Sequence, residues 1–152
     1  MKIAIVIEGE QNSGKTSTIK ELVNRQSNKN NSVMRRGWQR IFLNSQFRYL
    51  NLEAYCVPAS PSETNIKLSD RFDKWMPDVL ILAEQLNGQH YPNTYSFLTL
   101  NNYAILRYTI FNLDGNADWE RFNKSNKSIK LTNRVNSIIT DLRFLITSNN
   151  LI

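Results

Sequence analysis

The residues Gly9-Glu10-Gln11-Asn12-Ser13-Gly14-Lys15-Thr16 carry the spacing G-x-x-x-x-G-K-[ST]. A chain of phosphates needs a ring of inward-pointing backbone N–H donors, and glycine lets the backbone curl tightly enough to form one. Gly9 and Gly14 supply that freedom. Lys15 adds a point charge able to reach β and γ phosphates, and the Thr16 hydroxyl suits the Mg²⁺ that bridges them. Glu10, Gln11, Asn12, Ser13 and Ser17 complete the expected contact set. The positive dipole end of a helix starting here adds to the field. The ligand class implied is a nucleoside triphosphate, ATP or another, with Mg²⁺.

Such a loop works only between a strand and a helix. Lys2 to Ile7 reads Lys-Ile-Ala-Ile-Val-Ile, an apolar run suited to a strand buried on both faces of a parallel sheet. After the loop, Ile19, Leu22 and Val23 form an apolar stripe at i, i+3 and i+4, which predicts a helix from Lys15 to Gln26. A chance glycine turn would lack both flanks.

Further along, Asn24 to Ser32 is polar and without apolar period, and reads as a surface loop. Trp38 to Leu43 and Tyr49 to Val57 are β-prone, and the break at Asn44-Ser45-Gln46 suggests an antiparallel hairpin. A helix over Trp38 to Leu50 is the competing reading. Prolines 58 and 61 stop the second strand, and a helix is expected from Ser62 to Asn65 onward to Trp75. Asp78 to Ala83 reads as another buried parallel strand, with Glu84 at its end. A short helix near Asn93 to Asn102, a strand near Ala104 to Phe111, a turn at Asp114-Gly115 and a helix over Ile129 to Ile146 complete the chain.

At 152 residues the expectation is one domain, and 41% hydrophobic with 21% charged residues is a globular composition. No apolar run approaches a membrane span, and no signal peptide is indicated, so a cytoplasmic location fits. Cys56 is the only cysteine, which excludes an internal disulfide or a cysteine zinc cluster.

A net charge of +6 attracts nucleic acid, anionic membranes and polyphosphates alike. Basic residues gather at Arg35, Arg36 and Arg40 around Trp38, and at Arg121, Lys124, Lys127, Lys130 and Arg134. The first group can hold phosphate or stack on a base; a solvated turn and helix surface is the simpler explanation of both, and nucleic acid is the weaker expectation.

This succession of strand, glycine loop, helix and further β/α units resembles the P-loop NTPase superfamily, most of all its small stand-alone ATP-binding members. The layout resemblance covers most of the chain, and the specific part is Ile3 to Val23. It implies a three-layer α/β/α fold with a mainly parallel sheet of about five strands, here with an antiparallel hairpin. Gly9 to Gly14 would cradle phosphate, Lys15 would be the phosphate lysine and Thr16 the Mg²⁺ hydroxyl.

The family usually adds an Asp at the end of a neighbouring strand. Here Glu84 is the best substitute by location, as metal partner or as base for an attacking hydroxyl or water, against an ordinary exposed carboxylate. Asp78 belongs at the opposite edge of the sheet, and Ser60, Ser62 and Glu63 can face the site. Glu8 and Glu10 flank the loop, and a carboxylate about 8 Å from a phosphate charge costs about 2 kcal/mol at a dielectric near 20. Both are therefore expected to turn outward, the alternative being that one touches Mg²⁺ or an acceptor hydroxyl. His90, beside Tyr91 and Pro92, reads as a loop residue rather than a general base. Guanine-reading motifs are missing: Asn123-Lys124-Ser125-Asn126 has the wrong fourth residue.

Two functions follow. One is an ATPase or kinase-like phosphotransferase with Lys15 and Glu84 in catalysis, and with Arg35, Arg36, Arg40 or Arg107 contacting an unknown acceptor. The other is a nucleotide-gated module whose loops near Asn24 to Arg40 and Pro58 to Asn65 order around ATP for a protein or nucleic-acid partner.

Overall fold

A computed structural model describes residues 1–44, 49–112 and 118–149 of the chain, with the side chains at 44 and 49 left aside. It has an α/β architecture around one five-stranded sheet. The strands are β1 (Lys2–Gly9), β2 (Gly37–Asn44), β3 (Tyr49–Val57), β4 (Val79–Gln85) and β5 (Tyr103–Thr109). Their order is β2-β3-β4-β1-β5. β1 lies parallel between β4 and β5, β3 is parallel to β4, and β2 is antiparallel to β3.

The apolar run of β1 lies at the centre because only a central strand buries both faces. Its period of two divides it between two cores. Ile3, Ile5 and Ile7 pack with Ile19, Leu22 and Val23 of α1 (Lys15–Ser27) and with Val135, Ile138 and Leu142 of the last helix. Ala4 and Val6 pack on the other face with Leu68, Phe72, Phe97 and Leu98. The expected hairpin is present as β2 and β3, in the register Ile41↔Leu52, which removes the competing helix. The break at residues 45 and 46 lies outside the described residues, as does the Asp114-Gly115 turn.

Three expectations change. The helix toward Trp75 is two single turns, α2 (Pro61–Thr64) and α3 (Leu68–Arg71), because Asn65 adopts a left-handed φ of 56° and ends α2 with its N–H on the Pro61 carbonyl. α1 continues through the start of the expected Asn24–Ser32 loop. The C-terminal helix α5 (Lys124–Ser148) starts five residues before Ile129, where the Asn123 side chain accepts a 2.8 Å hydrogen bond from the Asn126 N–H and caps it. α4 (Tyr91–Leu100) stands between β4 and β5 in sequence. Among the described residues no helix is long and apolar enough to cross a membrane.

The chain leaves β1 through α1 toward β3 on one side, and leaves β4 through α4 toward β5 on the other. The sheet therefore reverses its winding between β1 and β4. The crevice at their carboxyl ends is the natural ligand position of such a sheet, and the Gly9–Thr16 loop and Glu84 both arise there.

Candidate functional site

The loop turns sharply at two left-handed residues, Asn12 with φ 59° and Gly14 with φ 97°. Gly14 has a second constraint: a Cβ there would lie 2.7 Å from the Trp119 ring. Gly14 is also the N-cap of α1 and offers no side-chain acceptor, and the first turn holds no acid. The leading amides of α1, which lack partners within the helix, thus receive no side-chain cap and no first-turn carboxylate. A cavity of about 400 Å³ opens here, lined by Gln11 to Ser17 together with Glu63, Trp119 and Glu120. Glu10 is exposed, as expected.

Lys15 is buried, and its amine donates to the carbonyls of Gly9 at 3.2 Å and Glu10 at 2.7 Å. Glu63 of α2 faces it at 3.8 Å. Burial lowers the Lys15 pKa, and the charges of Glu63 and Glu84 oppose that shift. The Thr16 hydroxyl donates to the Pro58 carbonyl at 2.8 Å, which leaves both of its lone pairs free to accept or ligate. Ser13 Oγ is buried with no partner.

Glu84 does not line the cavity. It sits within β4, fully buried, opposite Glu8 of β1 in the register. Both carboxylates fall on the face of Val6 and Leu82, beneath α4. Thr94 of α4 donates to Glu84 Oε2 at 2.6 Å, while Oε1 is buried without a partner. Burial pushes its pKa up to about 7, with Glu8 adding to the rise and Thr94, the Gln85 amide and Lys15 opposing it. Glu84 is therefore a buried carboxyl whose charged form is disfavoured by its surroundings, not an exposed acid.

Glu8 contradicts the expectation that it turns outward. Its place after Ala4 and Val6 in the alternation points it inward, and four donors collect on it. Arg107 Nε reaches Oε1 at 2.7 Å and the Thr109 hydroxyl at 2.6 Å; the Tyr91 hydroxyl reaches Oε2 at 3.1 Å, and Tyr95 makes a short bond to the same oxygen. Burial alone would raise the Glu8 pKa, but the bonds from Thr109, Tyr95 and Arg107 outweigh it and hold the group below its ordinary value. Period-two counting along β1 is the part of this signal present in the sequence; the donors come from distant elements.

Two residues that line the cavity, Trp119 and Glu120, went unmarked in the sequence, because they are distant from the loop in the chain and reach it only through the fold. The Trp119 N–H donates to the Asn12 carbonyl at 2.5 Å. Arg134 is not part of a solvated helix face: its guanidinium lies 4.9 Å over the Trp119 ring and donates to Thr18 Oγ1 at 3.2 Å. Lys127 and Lys130 stand over Trp119 and Phe122 at 5.7 and 4.6 Å, whereas Arg121 and Lys124 are exposed as expected.

Arg35, Arg36 and Arg40 do not line the cavity; Arg40 is on β2, separated from β1 by β3 and β4. Arg107 sits on β5 beside β1, held by Glu8 and by its Nη2 bond of 2.6 Å to the Tyr91 hydroxyl. Asp78 meets the amino end of β1, where its carbonyl accepts from the Ile3 N–H. His90 is buried at the head of α4, with Nε2 2.8 Å from Asn65 Oδ1 and its N–H on Ser62 Oγ, so it ties α2 to α4. Comparison with protein-family models, with curated proteins and with solved structures returned no match.

Proposed function

We propose that this chain is a three-layer α/β/α P-loop nucleoside triphosphate-binding domain, acting on ATP or another triphosphate with Mg²⁺ by hydrolysis or phosphoryl transfer. The observation that carries the reading is the uncapped start of α1 beneath the cavity, with the Lys15 amine gathered over the loop carbonyls. A polyanion fits there because the amides of the first turn, the helix dipole and Lys15 all favour negative charge.

The residues present also suit Mg²⁺, which takes one or two protein oxygens and completes its shell with phosphate and water. Thr16 would hold it, and Glu84 would act through an intervening water. The ion would supply charge neutralisation on the phosphates. Lys15 exchanges its contact with Glu63 for phosphate oxygen, and it then offsets charge developing on the transferred group. Glu84 lies outside the cavity lining, so it would act on the reaction through its charge on Lys15 rather than by touching the attacking hydroxyl or water.

A second reading draws on the α2 contact. Because Glu63 lies 3.8 Å from the Lys15 amine, a triphosphate on Lys15 repels Glu63 and loosens α2, a movement that a partner can read. Calorimetry with MgATP and MgGTP, paired with a phosphate-release assay, separates the two. Binding with turnover that is lost in Lys15→Ala supports the enzyme; binding without turnover supports the gated module; no heat with any Mg-nucleotide refutes both.

A further inference from the structure

Trp38 of β2 and Trp75 before β4 are 53% and 43% exposed, their rings 5.8 Å apart and tilted by 33°. Tyr55 supports both edge-on, at 5.4 and 5.1 Å, and Phe72 anchors the group to the core. Leaving two indoles in water forgoes the burial that large aromatic rings ordinarily gain.

The surroundings are basic. Residues 28–40 contain Lys29, Arg35, Arg36 and Arg40 and no acid. Arg71 has its Nε buried without a partner, and after burial it is the neighbouring Arg36 charge that most depresses its pKa. The Arg36 charge acts on Arg71, and an external anion would relieve both guanidiniums. Beside Trp38 a cavity of about 420 Å³ is lined by Lys29, Gln39, Arg40 and Glu53, and Gln39 Oε1 is buried there without a donor. Glu53 faces Arg40 across the strands, and Asp70, Asp73 and Asp78 lie near Trp75 in sequence.

We propose that this surface binds single-stranded nucleic acid: bases stack on Trp38 and Trp75 while Arg35, Arg36 and Arg40 neutralise the backbone. Each component has a matching group. Indole faces accept any base in stacking, and guanidiniums pair with phosphates. A duplex does not fit, because its bases are already stacked on one another. The surface is separate from the Gly9–Thr16 cavity and does not depend on the function proposed for it.

The test is titration with short oligothymidylate and oligoadenylate, read by indole fluorescence and by anisotropy over a range of salt. Quenching is expected, with affinity falling about tenfold or more in Trp38→Ala and partial recovery in Trp38→Phe. The slope of log affinity against log salt should fall by about 1 in Arg36→Ala and again in Arg40→Ala. Lys15→Ala should bind oligonucleotide as the wild type does. The proposal is overturned if neither oligonucleotide binds, if the tryptophan and arginine variants bind unchanged, or if base-free polyphosphate binds equally well. It is equally overturned if duplex or anionic phosphatidylserine vesicles are preferred to single strands. Near-ultraviolet circular dichroism of each variant separates loss of the site from loss of fold.

Discussion

Glu84 and Glu8 share a register and a face, yet burial acts on them with opposite outcomes, because four donors surround Glu8 and one side-chain donor meets Glu84. Glu84 holds its proton more tightly in the folded chain, so the stability it contributes is full below pH 4.5 and is lost as pH rises through about 7. Glu84→Gln should therefore flatten the fall in melting temperature between pH 5 and 8, and an unchanged slope would remove Glu84 as a neutral-range titrating group. Glu8 is depressed, so its contribution is present above its unfolded pKa and is lost in acid. Glu8→Gln, which weakens acceptance from Arg107, Thr109 and both tyrosines, should cost about 2–4 kcal/mol in urea unfolding at pH 7. Gly14→Ala places a methyl into the Trp119 ring at a left-handed φ and should cost about 2–4 kcal/mol; denaturant midpoints check both.

At the level of elements, α4 is the lever on the buried acids, since Thr94, Tyr91 and Tyr95 all reach them from that helix. Thr94→Val removes the hydroxyl that steadies the ionised form of Glu84, so its titration should move to higher pH, as read by carboxyl ¹³C shifts; a static or lower midpoint would deny that Thr94 has this effect. The strands, the first helix and the Gly9–Thr16 loop were legible in the sequence, because apolar period and glycine spacing are local signals. The division into α2 and α3 was not, since it depends on Asn65 taking a left-handed turn that His90 of another element holds. Glu8 was misread for a related reason: its donors are contributed by α4 and β5, distant in the chain, and burial of a carboxylate looks unfavourable until they are counted. Trp119 and Arg134 gave no local sign, being brought to Gly14 by the packing of α5.

Taken as one molecule, the chain puts the uncapped start of α1 where the sheet reverses its winding, and a second, basic stretch at the far edge strand β2. An anion held at the first site would stabilise the native state by mass action, about 2.7 kcal/mol at one hundred times Kd. For a chain of this size that is a rise in melting temperature of about 5–10 °C with excess MgATP. Lys15→Ala should abolish the rise while leaving the fold. The most direct measurement is the backbone amide spectrum of ¹⁵N-labelled protein titrated with MgATP. A triphosphate seated on the loop should place the largest shifts within Gly9 to Ser17, with Trp119 following and β2 unmoved. Saturation with triphosphate that leaves Gly14, Lys15 and Thr16 unshifted would contradict that placement.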